Sequence, residues 1–134
     1  MVEACEALDR PYVVIENDPA IQDDVRAECE AYVFGDAMGP YAWEKAKLSE
    51  ARVILSMTSS EVVSRRVLEL ESNAPVILRA RDERTARSLL DAGADYVAVP
   101  DLLAGEQLIQ ELQGLIENEQ TVDELRSSGF ARVA

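Results

Sequence analysis

The chain has 134 residues, 26 acidic against 13 basic side chains, a formal net charge of -13 and 48% apolar residues. Its length predicts one domain, its apolar fraction argues against disorder, and its negative charge argues against nucleic-acid and membrane-surface binding. No run approaches the roughly 18 apolar residues of a membrane span, and the first residues lack the pattern of a signal peptide. We therefore expect neither direct membrane insertion nor secretion.

The first half of the chain predicts three strands and two helices. Pro19 suits a first helical turn, and Asp18 can cap it. A turn at Gly35 and Asp36 separates the second strand from the next helix. In chain order we predict strand Tyr12–Ile15, helix Ala20–Glu30, strand Tyr32–Phe34, a helix near Tyr41–Leu48 and strand Val53–Met57.

The second half continues the alternation. Ser59 or Ser60 caps a helix that turns Val63, Val67 and Leu70 inward, and Gly93 ends the helix after it. In chain order we predict strand Pro75–Ala80, a helix over Glu83–Ala92 that buries Ala86, Leu89 and Leu90, strand Tyr96–Val99, and a long amphipathic helix with Leu108, Ile109, Leu112, Leu115 and Ile116 on one stripe. We assign residues 1–119 to the domain and residues 120–134, with a short helical pattern at Val122 and Leu125, to a helical tail or linker.

Apolar strands without internal alternation predict a parallel sheet covered on both faces, hence a doubly wound α/β domain. Histidine is absent, and the two cysteines, Cys5 and Cys29, lie far apart, so we expect buried reduced thiols and neither a metal site nor a nucleophilic triad. Arginine outnumbers lysine eleven to two. Acid excess with scarce lysine resembles proteins of salt-loving archaea; an ordinary acidic protein is the alternative.

Two families have this order of elements. The segment Val14–Ile21 and the run Gly93–Tyr96 resemble the two ends of a receiver domain of two-component signalling. Those domains need an aspartate at the end of the middle strand and a lysine before the final proline. Here the middle strand is Val53–Met57 and Val99 precedes Pro100, so a working receiver is rejected.

The second resemblance is closer and covers roughly residues 2 to 112. A strand that ends in an acidic residue before DP, a GDA turn and four further motifs follow in the order typical of regulator-of-K+-conductance domains of the TrkA N-terminal type. The motifs are Val13–Pro19 (VVIENDP), Gly35–Ala37 (GDA), Leu48–Ile54 (LSEARVI), Ile77–Asp82 (ILRARD), Leu89–Val97 (LLDAGADYV) and Pro100–Gly105 (PDLLAG).

One part of the family pattern is missing. The family opens with a strand and a GxGxxG turn, whereas Val2–Leu8 is similar to the helix that follows that turn. We therefore expect a Rossmann-like sheet without its first, central strand, and a native protein that begins upstream of Met1. The strands on either side could otherwise pair directly, or a partner chain could donate a strand.

The resemblance implies a set of nucleotide-binding positions. Glu16, followed by Asn17, corresponds to the acidic residue on the adenosine ribose, and a carboxylate there favours NAD over NADP. Asp36, followed by Ala37, corresponds to the residue that reaches toward adenine. Thr58 and Ser59 lie beside the expected diphosphate, and Arg79 corresponds to an arginine near a phosphate. The alternatives are a solvated Glu16, a turn or capping Asp36, a serine that only caps a helix, and an ion-paired Arg79.

The same resemblance implies a function without turnover. It implies a cytoplasmic domain that binds NAD(H) or another adenine nucleotide and regulates a potassium channel or transporter, as a homodimer or higher oligomer attached to the inner face of the membrane through an integral-membrane partner. Without the glycine turn, binding of NAD by this chain is expected to be weak or absent. The alternative is a nucleotide-free, degenerate Rossmann-like interaction module.

Overall fold

The structure, a computed structural model, describes residue 7 and residues 9–117 and 121–128. Short strands alternate with helices, as the sequence predicts. The elements are β1 (Val14–Glu16), α1 (Gln22–Glu28), β2 (Tyr32–Phe34), α2 (Pro40–Ala46), β3 (Ile54–Ser56), α3 (Glu61–Leu68), β4 (Val76–Arg79), α4 (Glu83–Asp91), β5 (Tyr96–Ala98), α5 (Pro100–Ile116) and α6 (Val122–Ser128), with 3₁₀ turns at Pro19–Ile21 and Leu48–Glu50.

The local signals act as predicted, with small shifts of the boundaries. The Asp18 carboxylate accepts from the amide of Ala20 at 2.9 Å, so it caps the 3₁₀ turn that Pro19 opens and that leads into α1. Lys47 adopts a left-handed conformation with φ of 55°, which ends α2 earlier than predicted. Cys29 is buried, as expected, whereas Cys5 lies outside the described residues.

The strands form two parallel sheets. β1 pairs with β2, and the second sheet has the order β3-β4-β5. Within the described residues no strand joins β1 to β3, so direct pairing of these two strands, one of the three alternatives, is not what the chain adopts. In a doubly wound sheet the central strand would lie between β1 and β3. The separation of the two sheets agrees with that arrangement, since no described residue forms a strand at this position. The α/β, Rossmann-like class is confirmed.

The main core lies under the second sheet. Leu78 of β4 and Leu89 of α4 are fully buried, and Ile54, Val67 and Ala86 pack with them. Side chains at these positions face one another because β3 and β4 present alternate residues to α3 and α4. Burial of one leucine side chain contributes about 1.5–3 kcal/mol to the free energy of unfolding. This cluster therefore stabilises the second sheet and the helices packed on it.

Leu90 departs from the prediction. It was expected to be buried with Leu89, but its side chain is 45% exposed. Successive residues of a helix differ by about 100° around its axis, so Leu90 turns away when Leu89 faces the core. One prediction for α4 is therefore wrong, while burial of Ala86 and Leu89 is confirmed.

The final long helix, α5, leaves its apolar stripe uncovered. The predicted amphipathic stripe exists, but no residue of α5 is buried. Four of its five stripe residues are more than half exposed: Leu108, Ile109, Leu112 and Ile116. The sequence establishes such a stripe, but burial depends on a neighbour to cover it.

A cation–π contact and the packing of the segment after α2 connect the first half of the chain to the second. The indole N–H of Trp43 in α2 donates to the carbonyl of Ala37 at 2.7 Å, which fixes the ring. The Arg66 guanidinium of α3 then lies over that ring at 4.8 Å from its centroid, a cation–π contact. Leu48 and Ala51 also pack against the main core. The two halves are therefore held together by the contact between α2 and α3 and by the segment that follows α2.

Candidate functional site

The predicted site residues follow the carboxyl ends of strands. Glu16 ends β1 and is paired in register with Phe34 of β2. The amide of Gly35 donates to the carbonyl of Glu16 at 3.1 Å, which continues the ladder one residue beyond β2. Because parallel strands end at the same edge, Glu16 and Asp36 are brought to neighbouring strand ends.

The Glu16 carboxylate organises its own loop. Its Oε1 accepts from the amides of Asn17 and Asp18, both at 3.0 Å. The side chain is half-buried, whereas Asn17 is exposed. Glu16 is therefore more than the solvated side chain of the alternative interpretation, since it holds the turn after β1. Oε2 accepts no hydrogen bond from a described donor, so one oxygen remains for a ligand hydroxyl.

Asp36 forms a side-chain turn. Its Oδ1 accepts from the amide of Met38 at 2.8 Å, and its carbonyl accepts from the amide of Gly39 at 2.9 Å. Asp36 therefore has the turn role given above as its alternative, because a short carboxylate can bond to the backbone two residues later. Ala37 follows, and its carbonyl is bonded to Trp43. The segment is thus fixed at both its side chain and its backbone.

The loop after β3 is built by hydroxyl groups. Thr58 Oγ1 accepts from the amide of Ser60 at 3.1 Å, and Ser60 Oγ accepts from the amide of Val63 at 3.4 Å. Ser60 is therefore the N-cap of α3, which decides between the two serines. Ser59 lies exposed between these partners. Its hydroxyl accepts no backbone amide from the described residues, so its placement leaves it open to solvent.

Arg79 lies at the end of β4 and reaches the same loop. Its Nη1 donates to the carbonyl of Met57 over a long contact of 3.5 Å. The residue is half-buried, and no described carboxylate forms an ion pair with it. Among the residues that the structure describes, Arg79 is therefore not ion-paired. The other described arginines without an ion pair are exposed, so Arg79 differs from them in being half-buried; they are Arg10, Arg26, Arg52, Arg81 and Arg84.

The predicted residues thus fall into two groups. One comprises Glu16, Asn17, Asp36 and Ala37 at the ends of β1 and β2; the other comprises Thr58, Ser59 and Arg79 at the ends of β3 and β4. Among the described residues, no hydrogen bond joins the groups. The first is acidic, the second polar and basic, so the two differ in the ligand chemistry they can accept.

Sequence reasoning missed the residues that support these groups. Trp43 anchors the carbonyl of Ala37, and the Met57 carbonyl positions Arg79. Both contacts involve backbone carbonyls, which carry no residue-specific signal. A shallow surface depression lies elsewhere, along one face of α4 between Glu83 and Asp91, so it is no part of the site.

Metal ligands and membrane-spanning helices were also sought among the described residues. These residues hold no cluster of three or more acidic, cysteine or histidine side chains suited to a metal ion. Over the same part of the chain, no helix has the length and hydropathy needed to cross a membrane.

Comparison with known proteins decides the family. The TrkA-N domain family model matches residues 1–100, which is most of the chain. The chain belongs to the TrkA-N domain family. The resemblance drawn from the motifs is confirmed, since the match covers the acidic strand end at Glu16, the GDA turn and the later motifs up to Pro100.

Individual relatives of this TrkA-N domain are distant. Potassium channel protein 1 of Methanocaldococcus jannaschii is 26% identical over 107 residues, which are 73% of this chain and 31% of that protein. The TrkA-N domain of the inner membrane protein ybaL from Escherichia coli has 20% identity and a TM-score of 0.73, covering 82% of this chain and 84% of that one. The GsuK channel bound to NAD has 17% identity and a TM-score of 0.63, covering 74% of this chain and 18% of that one. This chain spans about a third of the curated relative.

Proposed function

We propose that this TrkA-N domain binds NAD(H) or another adenine nucleotide and couples its ligand state to potassium transport. The observation that carries the proposal is Arg79, a half-buried arginine with no described acidic partner, beside the hydroxyl-rich loop at Thr58 and Ser59. Guanidinium groups bind phosphates in charge-assisted pairs. The free carboxylate oxygen of Glu16, on the neighbouring sheet, suits the hydroxyls of a ribose.

The acidic residues at the ends of β1 and β2 also support a choice between NAD and NADP. NADP carries a phosphate on the 2′-oxygen of its adenosine ribose. That negative phosphate would lie close to the carboxylates of Glu16 and Asp36, and like charges repel. NAD is therefore favoured over NADP. Charge-assisted hydrogen bonds contribute about 1.5–3 kcal/mol each, so one carboxylate can set this preference.

The partners follow from the family. The M. jannaschii relative is a potassium channel protein, and the GsuK channel has been solved bound to NAD. We propose a cytoplasmic homodimer or higher oligomer, attached to the inner face of the membrane through a channel or transporter subunit. We further propose that the domain is not an enzyme, because the sequence has no histidine and its candidate residues include neither a nucleophilic triad nor a suitable general base.

One observation favours the alternative of a nucleotide-free interaction module. Glu16 Oε1 and Asp36 Oδ1 already accept backbone amides, so each carboxylate contributes to the fold without any ligand. A degenerate domain that retained both residues for its turns would have the same geometry. Binding measurements separate the two proposals.

The experiment titrates NADH fluorescence against the purified chain, Glu16→Gln and Glu106→Gln. Glutamine keeps one oxygen to accept the two loop amides, so the turn is retained, while the charge is lost and the second oxygen becomes an NH2 donor. Affinity is expected to fall about tenfold or more in Glu16→Gln. Glu106→Gln removes one exposed charge from α5 and is the matched control.

Three results are informative. Equal affinities of Glu16→Gln and the parent chain would place the ribose elsewhere. A parallel loss in both variants would indicate a general charge effect. Because a chain without the glycine turn is expected to bind weakly, the titration extends to about 1 mM nucleotide, and a parent chain that binds none of NADH, NAD and ADP even there would favour the interaction module.

A further inference from the structure

The indole ring of Trp43 is attached to the acidic group of candidate ligand-binding residues, at the ends of β1 and β2. Its N–H donates to the carbonyl of Ala37 at 2.7 Å, and Ala37 directly follows Asp36 in the turn after β2. The ring is half-buried, and an indole N–H withdrawn from water needs an acceptor. This hydrogen bond therefore holds α2 and the turn that carries Asp36 together.

The same ring contacts Arg66 of α3. The guanidinium carbon lies 4.8 Å from the ring centroid, within the range of a cation–π contact. Glu69, one turn later on α3, accepts from Arg66 Nη1 at 2.6 Å and orients the guanidinium. Arg66 is thus fixed on its own helix while it contacts a ring of α2.

Helix α3 connects Arg66 to the basic group of candidate residues, at the ends of β3 and β4. Its N-cap, Ser60, accepts from an amide of the first helical turn at 3.4 Å, and Thr58 Oγ1 accepts from the amide of Ser60 at 3.1 Å. Arg66 follows Ser60 by about two turns of hydrogen-bonded helix. The contacts that start at Ala37 therefore reach the loop of Thr58 and Ser59 through α3.

We infer that Trp43 and Arg66 are positioning residues, which set the distance between the acidic group and the basic group. The inference rests on the proposed function, because that distance matters only for a nucleotide that spans both groups. Among the described residues no hydrogen bond joins the two groups directly, so their spacing depends on side chains outside them. A ligand held at two points binds more tightly when these points are already correctly spaced, because less ordering is needed on binding.

Two ligands of different length distinguish positioning from simple stabilisation. Adenosine has a base and a ribose but no phosphate, so it can occupy only the acidic group at Glu16 and Asp36. ADP adds two phosphates, which can reach the guanidinium of Arg79 in the basic group. A change in the spacing of the groups therefore weakens the binding of ADP more than that of adenosine, whereas a general loss of stability weakens both.

The first measurement is an NMR titration of the full chain and two variants with ADP and with adenosine. Arg66→Gln removes the cation over Trp43 and is expected to weaken ADP binding about two- to fivefold, the effect of one partly exposed cation–π contact, and to leave adenosine binding unchanged. Arg65→Gln is the matched control. The Arg65 side chain is 42% exposed against 40% for Arg66, and each is ion-paired with a glutamate of α3. Arg65 bonds to Ser88 of α4 rather than to α2, so both affinities should stay at the parent values.

The second measurement needs no nucleotide. Trp43 is the only tryptophan of the chain, so its indole N–H gives one resolved signal, and the exchange of that proton with water reports the bond to Ala37. Exchange is expected to be about two- to fivefold faster in Arg66→Gln, because the ring loses the cation that holds it, and to keep the parent rate in Arg65→Gln.

The outcomes separate this inference from the proposed function. The positioning role is overturned if Arg66→Gln leaves either ADP affinity or indole exchange unchanged, if it weakens adenosine binding as much as ADP binding, or if Arg65→Gln has the same effects. A parent chain that binds neither ligand would overturn the proposed function and the positioning role with it, whereas indole exchange would still show whether Arg66 holds the ring on the Asp36 turn.

Discussion

Leu89 and Leu90 offer a test of how burial determines stability. They are neighbours on α4, but Leu89 is fully buried and Leu90 is 45% exposed. Substitution of either by alanine removes the same atoms and gives the same small change in helix propensity. Leu89→Ala leaves a cavity against Leu78 and Val67 and should reduce the free energy of unfolding by about 3–4 kcal/mol. Leu90→Ala leaves no cavity and should cost about 1 kcal/mol or less.

The measurement is urea unfolding, followed by far-ultraviolet circular dichroism in about 1 M KCl, where repulsion among the surface charges is screened. Both variants should keep the slope of the parent chain, so that differences in midpoint report stability. Equal losses in the two variants would refute the reasoning, because they would mean that the cluster around Leu89 is not packed tightly enough to leave a cavity. Losses in the reverse order would place the core on the other face of α4.

Three further predictions concern capping, protonation and salt. Ser60→Ala should lower the free energy of unfolding by about 1 kcal/mol in urea, since Ser60 caps α3, and Ser59→Ala should change it by less than about 0.5 kcal/mol; equal effects would reject the cap. Asp82 accepts from the amide of Thr85 at 2.7 Å, which holds the pKa of Asp82 below its ordinary value of 3.8. The charged form of Asp82 therefore stabilises the fold fully above about pH 4, and this stabilisation is lost as the pH falls through the lowered pKa. The urea midpoint of Asp82→Asn should accordingly lie below that of the parent chain at pH 7, and the difference should shrink in acid. A deficit that grows in acid would contradict this. Finally, raising KCl from about 0.1 to 1 M shortens the Debye length from about 10 to 3 Å, so the melting temperature should rise by several degrees; no rise would count against a halophilic protein.

Much of the fold could be predicted because it depends on local patterns. The apolar run before Asp18 and Pro19, the cap at Ser60 and the helix that buries Leu89 all result from residue spacing and short-range hydrogen bonds. Strand ends were harder to place, because a ladder stops where its partner stops. β3 has a partner on one edge and extends over three residues, whereas the prediction covered Val53–Met57.

The site could be predicted only in part. Motif similarity indicates Glu16, Asp36 and Arg79, and the sheets do place them at strand ends. The sequence does not specify the partner of each side chain, since a carboxylate can cap a turn, pair with an arginine or bind a ligand. The structure shows turn roles for both acids and no acidic partner for Arg79 among the described residues.

The sequence by itself determined the order of strands and helices, the family motifs and the absence of histidine chemistry. Only the tertiary structure decided that β1 and β3 stay apart, that Leu90 is exposed and that the stripe of α5 is uncovered. The physical reason is common to these three. Periodicity fixes which side chains share a face, and that is a property of the local backbone. Whether the face or edge is covered depends on a second element, and its presence is a property of long-range packing alone.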